Sequence, residues 1–108
     1  MDIIDYCTEG GKNLIKDYLS SLSKAECAYG YGIRHKIIKE GLSAFDGLDT
    51  RQLQGKLWEI KFADNRIMYV IFDKTAVHFL HACKKQKGKA EKFELEKAIQ
   101  RAKERNLL

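Results

Sequence analysis

The chain is predicted to fold as one small α+β domain spanning residues 1–108, in the order β-α-α-β-β-β-α. The sheet is expected to be mostly antiparallel, with the helices packed on one face. Three observations carry this expectation. Apolar residues recur at helical spacing in the N-terminal part and switch to a period of two at Trp58. The three strand-like runs from there on are joined by short turns that cannot make a parallel crossover. A length of 108 residues supports one hydrophobic core and not two.

The elements follow in order. "DIIDY" (Asp2 to Tyr6) is short and rich in β-formers, and "TEGGK" (Thr8 to Lys12) reads as a turn. From Asn13, the residues Leu14, Ile15, Tyr18, Leu19 and Leu22 make a short amphipathic helix. Ser23 is placed to cap a second helix, with Glu26 completing a capping box. Ala25, Tyr29, Ile33 and Ile37 form its apolar stripe, Gly41 ends it, and Gly30 and Gly32 weaken it by up to about 1 kcal/mol each relative to alanine. Leu42 to Lys56 is expected to be a connector pinned by Phe45 and Leu48. In "LWEIKFA", Trp58, Ile60 and Phe62 point towards the helices, and Glu59 and Lys61 towards a face left at least partly open. "RIMYVIF" (Arg66 to Phe72) and "AVHFLHAC" (Ala76 to Cys83) are nearly continuous apolar strands. "AEKFELEKAIQRAKERNLL" then forms a charged amphipathic helix burying Phe93, Leu95, Ala98, Ile99 and Ala102.

Composition narrows the function. Twenty Lys and Arg against fifteen Asp and Glu give a net charge of +5, which suits an acidic partner. The three cysteines, Cys7, Cys27 and Cys83, are odd in number and include no CxxC pair, so neither a disulfide framework nor a metal site is expected. No cofactor is expected either, since no glycine-rich phosphate loop is present. The N-terminus lacks the basic and apolar regions of a signal peptide, and no apolar run is long enough to span a bilayer; a cytoplasmic protein is expected.

The most informative stretch is "FLHACKKQKGKA" (Phe79 to Ala90). It carries Lys84, Lys85, Lys87 and Lys89 at the start of a helix. Cations there oppose the helix dipole, a cost that is tolerable when an anion sits between them and the helix amides. The alternative is a solvated, lysine-rich turn. Lys84 and Lys85 fall on opposite faces if the strand continues. Arg66, at a strand start, can clamp a phosphate bidentately or make a surface ion pair. Lys61 is a phosphate ligand or proton carrier, or simply exposed; Glu59 is its partner or a weaker candidate base. His81 can act as acid or base, or be a core-edge histidine on one face with Phe79 and Cys83. His78 falls on the other face and reads as structural, and His35, in the second helix, reads as a surface or packing residue.

The ordered combination "LWEIKF", "RIMYVIF" and "VHFLHACKKQKGKAEKFELEKAIQRAKE" resembles the RelE/HigB-like toxins of type II toxin–antitoxin systems, in particular their phage-derived branch. Three positions depart from that pattern. Lys61 stands where the family has arginine, Ala82 and Cys83 replace an aromatic, and Gly88 to Ala90 replace a Thr-Pro pair. The resemblance implies a RelE-like fold and a metal-independent endoribonuclease that enters the 30S decoding site and cuts mRNA. The 2′-hydroxyl attacks the adjacent phosphate, leaving a 2′,3′-cyclic phosphate and a 5′-hydroxyl. It also implies a cognate antitoxin, often a helix-turn-helix protein. For that chemistry the candidate catalytic residues are Lys61, Arg66, His81 and Lys84, and the candidate RNA-phosphate contacts are Lys56, Lys85, Lys87 and Lys89. Two other readings stay open: a non-catalytic ParE-like inhibitor of DNA gyrase, and a nucleic-acid-binding accessory domain.

Overall fold

A computed structural model describes residues 1–108. In chain order it contains β1 (Asp2–Asp5), α1 (Leu14–Ser20), α2 (Lys24–Glu40), a 3-10 stretch (Gly41–Gly47), β2 (Thr50–Gln54), β3 (Leu57–Phe62), β4 (Asn65–Asp73), β5 (Ala76–Lys84) and α3 (Gly88–Glu104). The strands form one sheet in the order β1-β5-β4-β3-β2. β1 runs parallel to β5, and every other pairing is antiparallel. No helix is long and apolar enough to cross a membrane.

The expected element order holds with one addition. The segment read as a connector contains β2, which pairs with the edge of β3 (Thr50 opposite Ile60, Arg51 opposite Glu59). "TRQLQ" has a single apolar residue, so no hydrophobic alternation marks it. Its backbone pairing, not burial, makes it a strand.

The expectation that all helices share one face is corrected. Ile15, Leu19, Ile33 and Ile37 of α1 and α2 pack on Ile60, Phe62, Ile67, Tyr69, Val77 and Phe79. Ala98 and Ala102 of α3, with Leu107, pack on Leu57, Met68, Val70 and Leu80 on the opposite face. β4 and β5 are apolar on both faces, and such strands need cover on both sides.

β5 also carries a bulge. Met68 lies opposite His81 and Tyr69 opposite Phe79, so Leu80 is an extra residue without a partner. The bulge turns Phe79 to the α1/α2 face while His81 faces α3. His78, opposite Val70, faces α3 as well. Phe79 and His81 therefore do not share a face, and the two histidines do, both contrary to strict alternation.

The helix ends follow the expected chemistry in part. Asn13 accepts from the amides of Ile15 and Lys16 at 3.1 and 2.9 Å, and Ser23 accepts from Glu26 N at 3.2 Å. The Glu26 carboxylate does not close the capping box; it accepts from Asn65 Nδ2 at 2.6 Å. Gly41, at φ +69°, ends α2. The buried residues of α2 are Gly30, Ile33, Arg34 and Ile37, with Arg34 held bidentately by Asp5 at 2.7 and 2.8 Å. Tyr29 is not part of that stripe and stays 64% exposed. In α3, Phe93 is 65% exposed instead of buried. α3 closes with Asn106 at φ +58° and Leu107 N–H donating to Ala102 O at 2.9 Å, a Schellman motif that returns Leu107 to the core.

Candidate nucleic-acid interface

Strand register assembles the charged side chains. Lys61 lies opposite Arg66, Arg66 opposite Cys83, and Arg51 opposite Glu59. All stand on the α3 side of the sheet, at the end where β3 finishes, β4 begins and β5 runs into α3. They line a cleft of about 290 Å³, completed by Lys84, Lys85, Gln86, Lys87 and Glu91. Six of its ten lining residues are Lys or Arg, and two are Glu. The cleft therefore carries an excess of positive charge and favours an anionic ligand.

Glu59 is the floor. It is 2% exposed, accepts from Arg51 Nε at 2.8 Å, and lies 4.0 Å from Arg66 Nε. Two guanidiniums compensate the desolvated carboxylate, and it in turn holds both at fixed positions. Arg66 is further anchored by donating from Nη1 to Asn65 O at 2.8 Å and Ala63 O at 3.3 Å. Lys61, Lys85 and Lys87 take part in none of the ion pairs, so their charges remain available. The N-cap of α3 is Lys87, which makes no capping hydrogen bond through its side chain. The positive end of a 17-residue helix thus opens beside the lysines.

Four of the sequence-predicted residues stand elsewhere or are otherwise engaged. Lys84 borders the cleft, but its ammonium donates to Asn65 Oδ1 at 3.0 Å and lies 3.8 Å from Glu26. Lys56 lines a separate hollow with Phe45, Trp58 and Tyr69. Lys89 lines another with Lys92, Phe93 and Glu96. His81 is buried under α3 and does not reach the cleft. Conversely, Arg51 lines the cleft without any signal in the sequence. Its strand has no hydrophobic signature, and only the Arg51–Glu59 pairing brings it in.

His81 belongs to a separate network. Arg101 Nη1 donates to Leu80 O at 2.9 Å and to His81 Nδ1 at 3.0 Å. Arginine can only donate, so Nδ1 is the acceptor and the ring proton sits on Nε2, facing Glu94. Burial lowers the His81 pKa, helped by the charges of Arg101 and Lys97 and opposed by Glu94. For Glu94, burial acts upward, but the hydrogen bonds from His81 and Cys83 and the charge of Lys97 act together against it, and the pKa is lowered. A neutral imidazole donating to an ionised carboxylate satisfies both shifts. Cys83 is pushed up to about 12 by burial and by Glu94, so it is a protonated thiol. The donor atoms of His81, Cys83 and Glu94 lie within 4.8 Å of one another, a spacing that suits a metal ion. The hydrogen bonding opposes one: a metal on Nε2 would require the proton on Nδ1, where Arg101 also points a donor.

The family model for phage-derived Gp49-like proteins (DUF891) matches residues 17–103, which include every residue that lines the cleft. No curated protein matches the chain. The match covers well over half of the sequence, and the chain belongs to the phage-derived Gp49-like family.

Proposed function

We propose that the chain is the toxin of a toxin–antitoxin pair, an endoribonuclease that cuts mRNA in the ribosomal decoding site and is neutralised by a cognate antitoxin. The observation that carries this reading is the cleft. It joins an anchored arginine, three unpaired lysines and an uncapped helix N-terminus over a buried carboxylate. The sequence likeness to RelE/HigB-like toxins supplies the reaction class.

In this reading Arg66 and Lys61, side by side across β3 and β4, hold the scissile phosphate. Together with Lys85 and Lys87 they stabilise the charge that grows on the phosphorane oxygens. Glu59, buried on the cleft floor, holds the Arg51 and Arg66 guanidiniums in place, and Lys61 in its amine form receives the proton of the attacking 2′-hydroxyl. A lysine ammonium protonates the departing 5′-oxygen. His81, held between Glu94 and Arg101, has a positioning role: it fixes β5 against α3 and hence Lys85 and Lys87 at the cleft.

The test is a cell-free translation reaction with the mRNA ends mapped by primer extension. Wild type is expected to cut translated mRNA. Arg66→Ala should reduce the rate by about 10²- to 10³-fold, the usual loss for a group stabilising transition-state charge. Lys85→Ala/Lys87→Ala should also lose cutting, and Lys56→Ala, on the other hollow, should retain it. Intact mRNA with full translation would overturn the reading, and inhibition of gyrase supercoiling would then identify the ParE-like alternative.

A further inference from the structure

We propose that Tyr29 is a base-stacking platform, holding a nucleobase of the single-stranded RNA whose phosphate occupies the cationic cleft. This rests on the RNA reading of the cleft and adds to it how the strand is held. Tyr29 contributes little to the core, since it is 64% exposed. Its ring is nevertheless fixed, stacked on Phe62 with centroids 5.8 Å apart and planes 13° from parallel. Phe62 is buried, so it gives the exposed ring a rigid backing. An aromatic ring held from below and open above is how proteins bind unpaired bases, because every base presents a π-face.

The position ties the ring to the cleft. Tyr29 and Phe62 line a hollow of about 350 Å³ with Ala25, Glu26 and Ala63. The hollow and the cleft meet at the turn between β3 and β4. Ala63 lines the hollow, and its carbonyl accepts from Arg66 Nη1 at 3.3 Å on the cleft side. Lys84 borders the cleft, and its ammonium lies 3.8 Å from Glu26 in the hollow. A strand with one phosphate at Arg66 that passes over this turn comes to Tyr29 on the other side of the sheet. Lys84 would then screen the backbone between them.

The experiment is fluorescence anisotropy of a labelled 12-nucleotide single-stranded RNA, titrated at several salt concentrations. Proteins compared are wild type, Tyr29→Ala, Tyr29→Trp and Arg66→Ala. Tyr29→Ala is expected to weaken binding by roughly 5- to 150-fold, the range for one lost stacked base. Its salt slope should equal that of wild type, and Tyr29→Trp should bind at least as well as wild type. Arg66→Ala should instead lower the slope by about one phosphate contact. Wild-type affinity in Tyr29→Ala, beside weakened Arg66→Ala, would overturn the stacking role and leave the cleft reading intact. Failure of tryptophan to support binding would overturn it equally. Absence of any wild-type binding to free RNA would also overturn it, and the cleft reading would then be decided by the translation assay.

Discussion

Arg66 is held by two backbone carbonyls and a buried carboxylate, so its guanidinium is in place before any ligand arrives. Such preorganisation lets a cation stabilise a transition state without reorganising during the reaction. Lys61, directly opposite, is unconstrained and offers a point charge in place of a planar fork. The account expects Lys61→Arg, which keeps the charge but cannot take up a proton, to lower mRNA cleavage by at least about tenfold, and Lys61→Ala to lower it by at least about that factor; single-turnover rates on translated mRNA check both. The histidines yield a stability prediction. His81 and His78 both have pKa values lowered chiefly by burial, with Arg101 and Lys97 adding at His81 and Arg105 at His78. The unfolded chain binds more protons than the folded one below about pH 6.5, so stability is full above that pH and falls as the pH drops through it. Urea midpoints at pH 7.5, 6.5 and 5.5 should decline in that order, and His81→Asn should flatten the decline.

The two helical glycines of α2 differ in kind. A Cβ on Gly30 would lie 2.7 Å from Leu19 Cδ2, and Leu19 is fully buried, so the missing side chain is what lets α1 and α2 approach. Gly32 has nothing within 4 Å of that position. Gly30→Ala should destabilise by about 1–3 kcal/mol through overpacking, while Gly32→Ala should stabilise by up to about 1 kcal/mol through helix propensity; urea denaturation of the two variants checks the opposite signs. Elements with a strong period were legible in the sequence: α1, α2 with its Ser23 cap and Gly41 stop, and the β3-β4-β5 meander. β2 was not, because a strand stabilised by backbone pairing on a sheet edge leaves no hydrophobic alternation. The faces of His78 and His81 were not legible either, because one unpaired residue at Leu80 inverts alternation and nothing in "HFLHA" announces it. Phe93 and Tyr29 satisfied a helical stripe yet face out, since the helix needs only part of a wide apolar arc to cover its share of the sheet. Of the residues lining the cleft, the lysine run and Arg66 carry a sequence signal, whereas Arg51 is brought in only by its tertiary pairing with Glu59.

At the scale of the molecule, the sheet is covered on both faces, and the cleft lies on the side that α3 shares. α3 packs over β5 and β4, and Arg51, Glu59 and Lys61 extend the charged surface onto β2 and β3. The chain carries a formal net charge of +5, and the six Lys and Arg against two Glu in the cleft give that end a local excess of positive charge, which suits approach to a polyanion. The most direct measurement uses ribosomes programmed with two mRNAs, one all-ribose and one with a 2′-deoxy nucleotide at the scissile position of the decoding-site codon. The account predicts that purified protein cuts the all-ribose mRNA, leaving a 5′-hydroxyl and a 2′,3′-cyclic phosphate, and leaves the deoxy mRNA whole. Cutting of the deoxy mRNA, or no cutting of either, would contradict it.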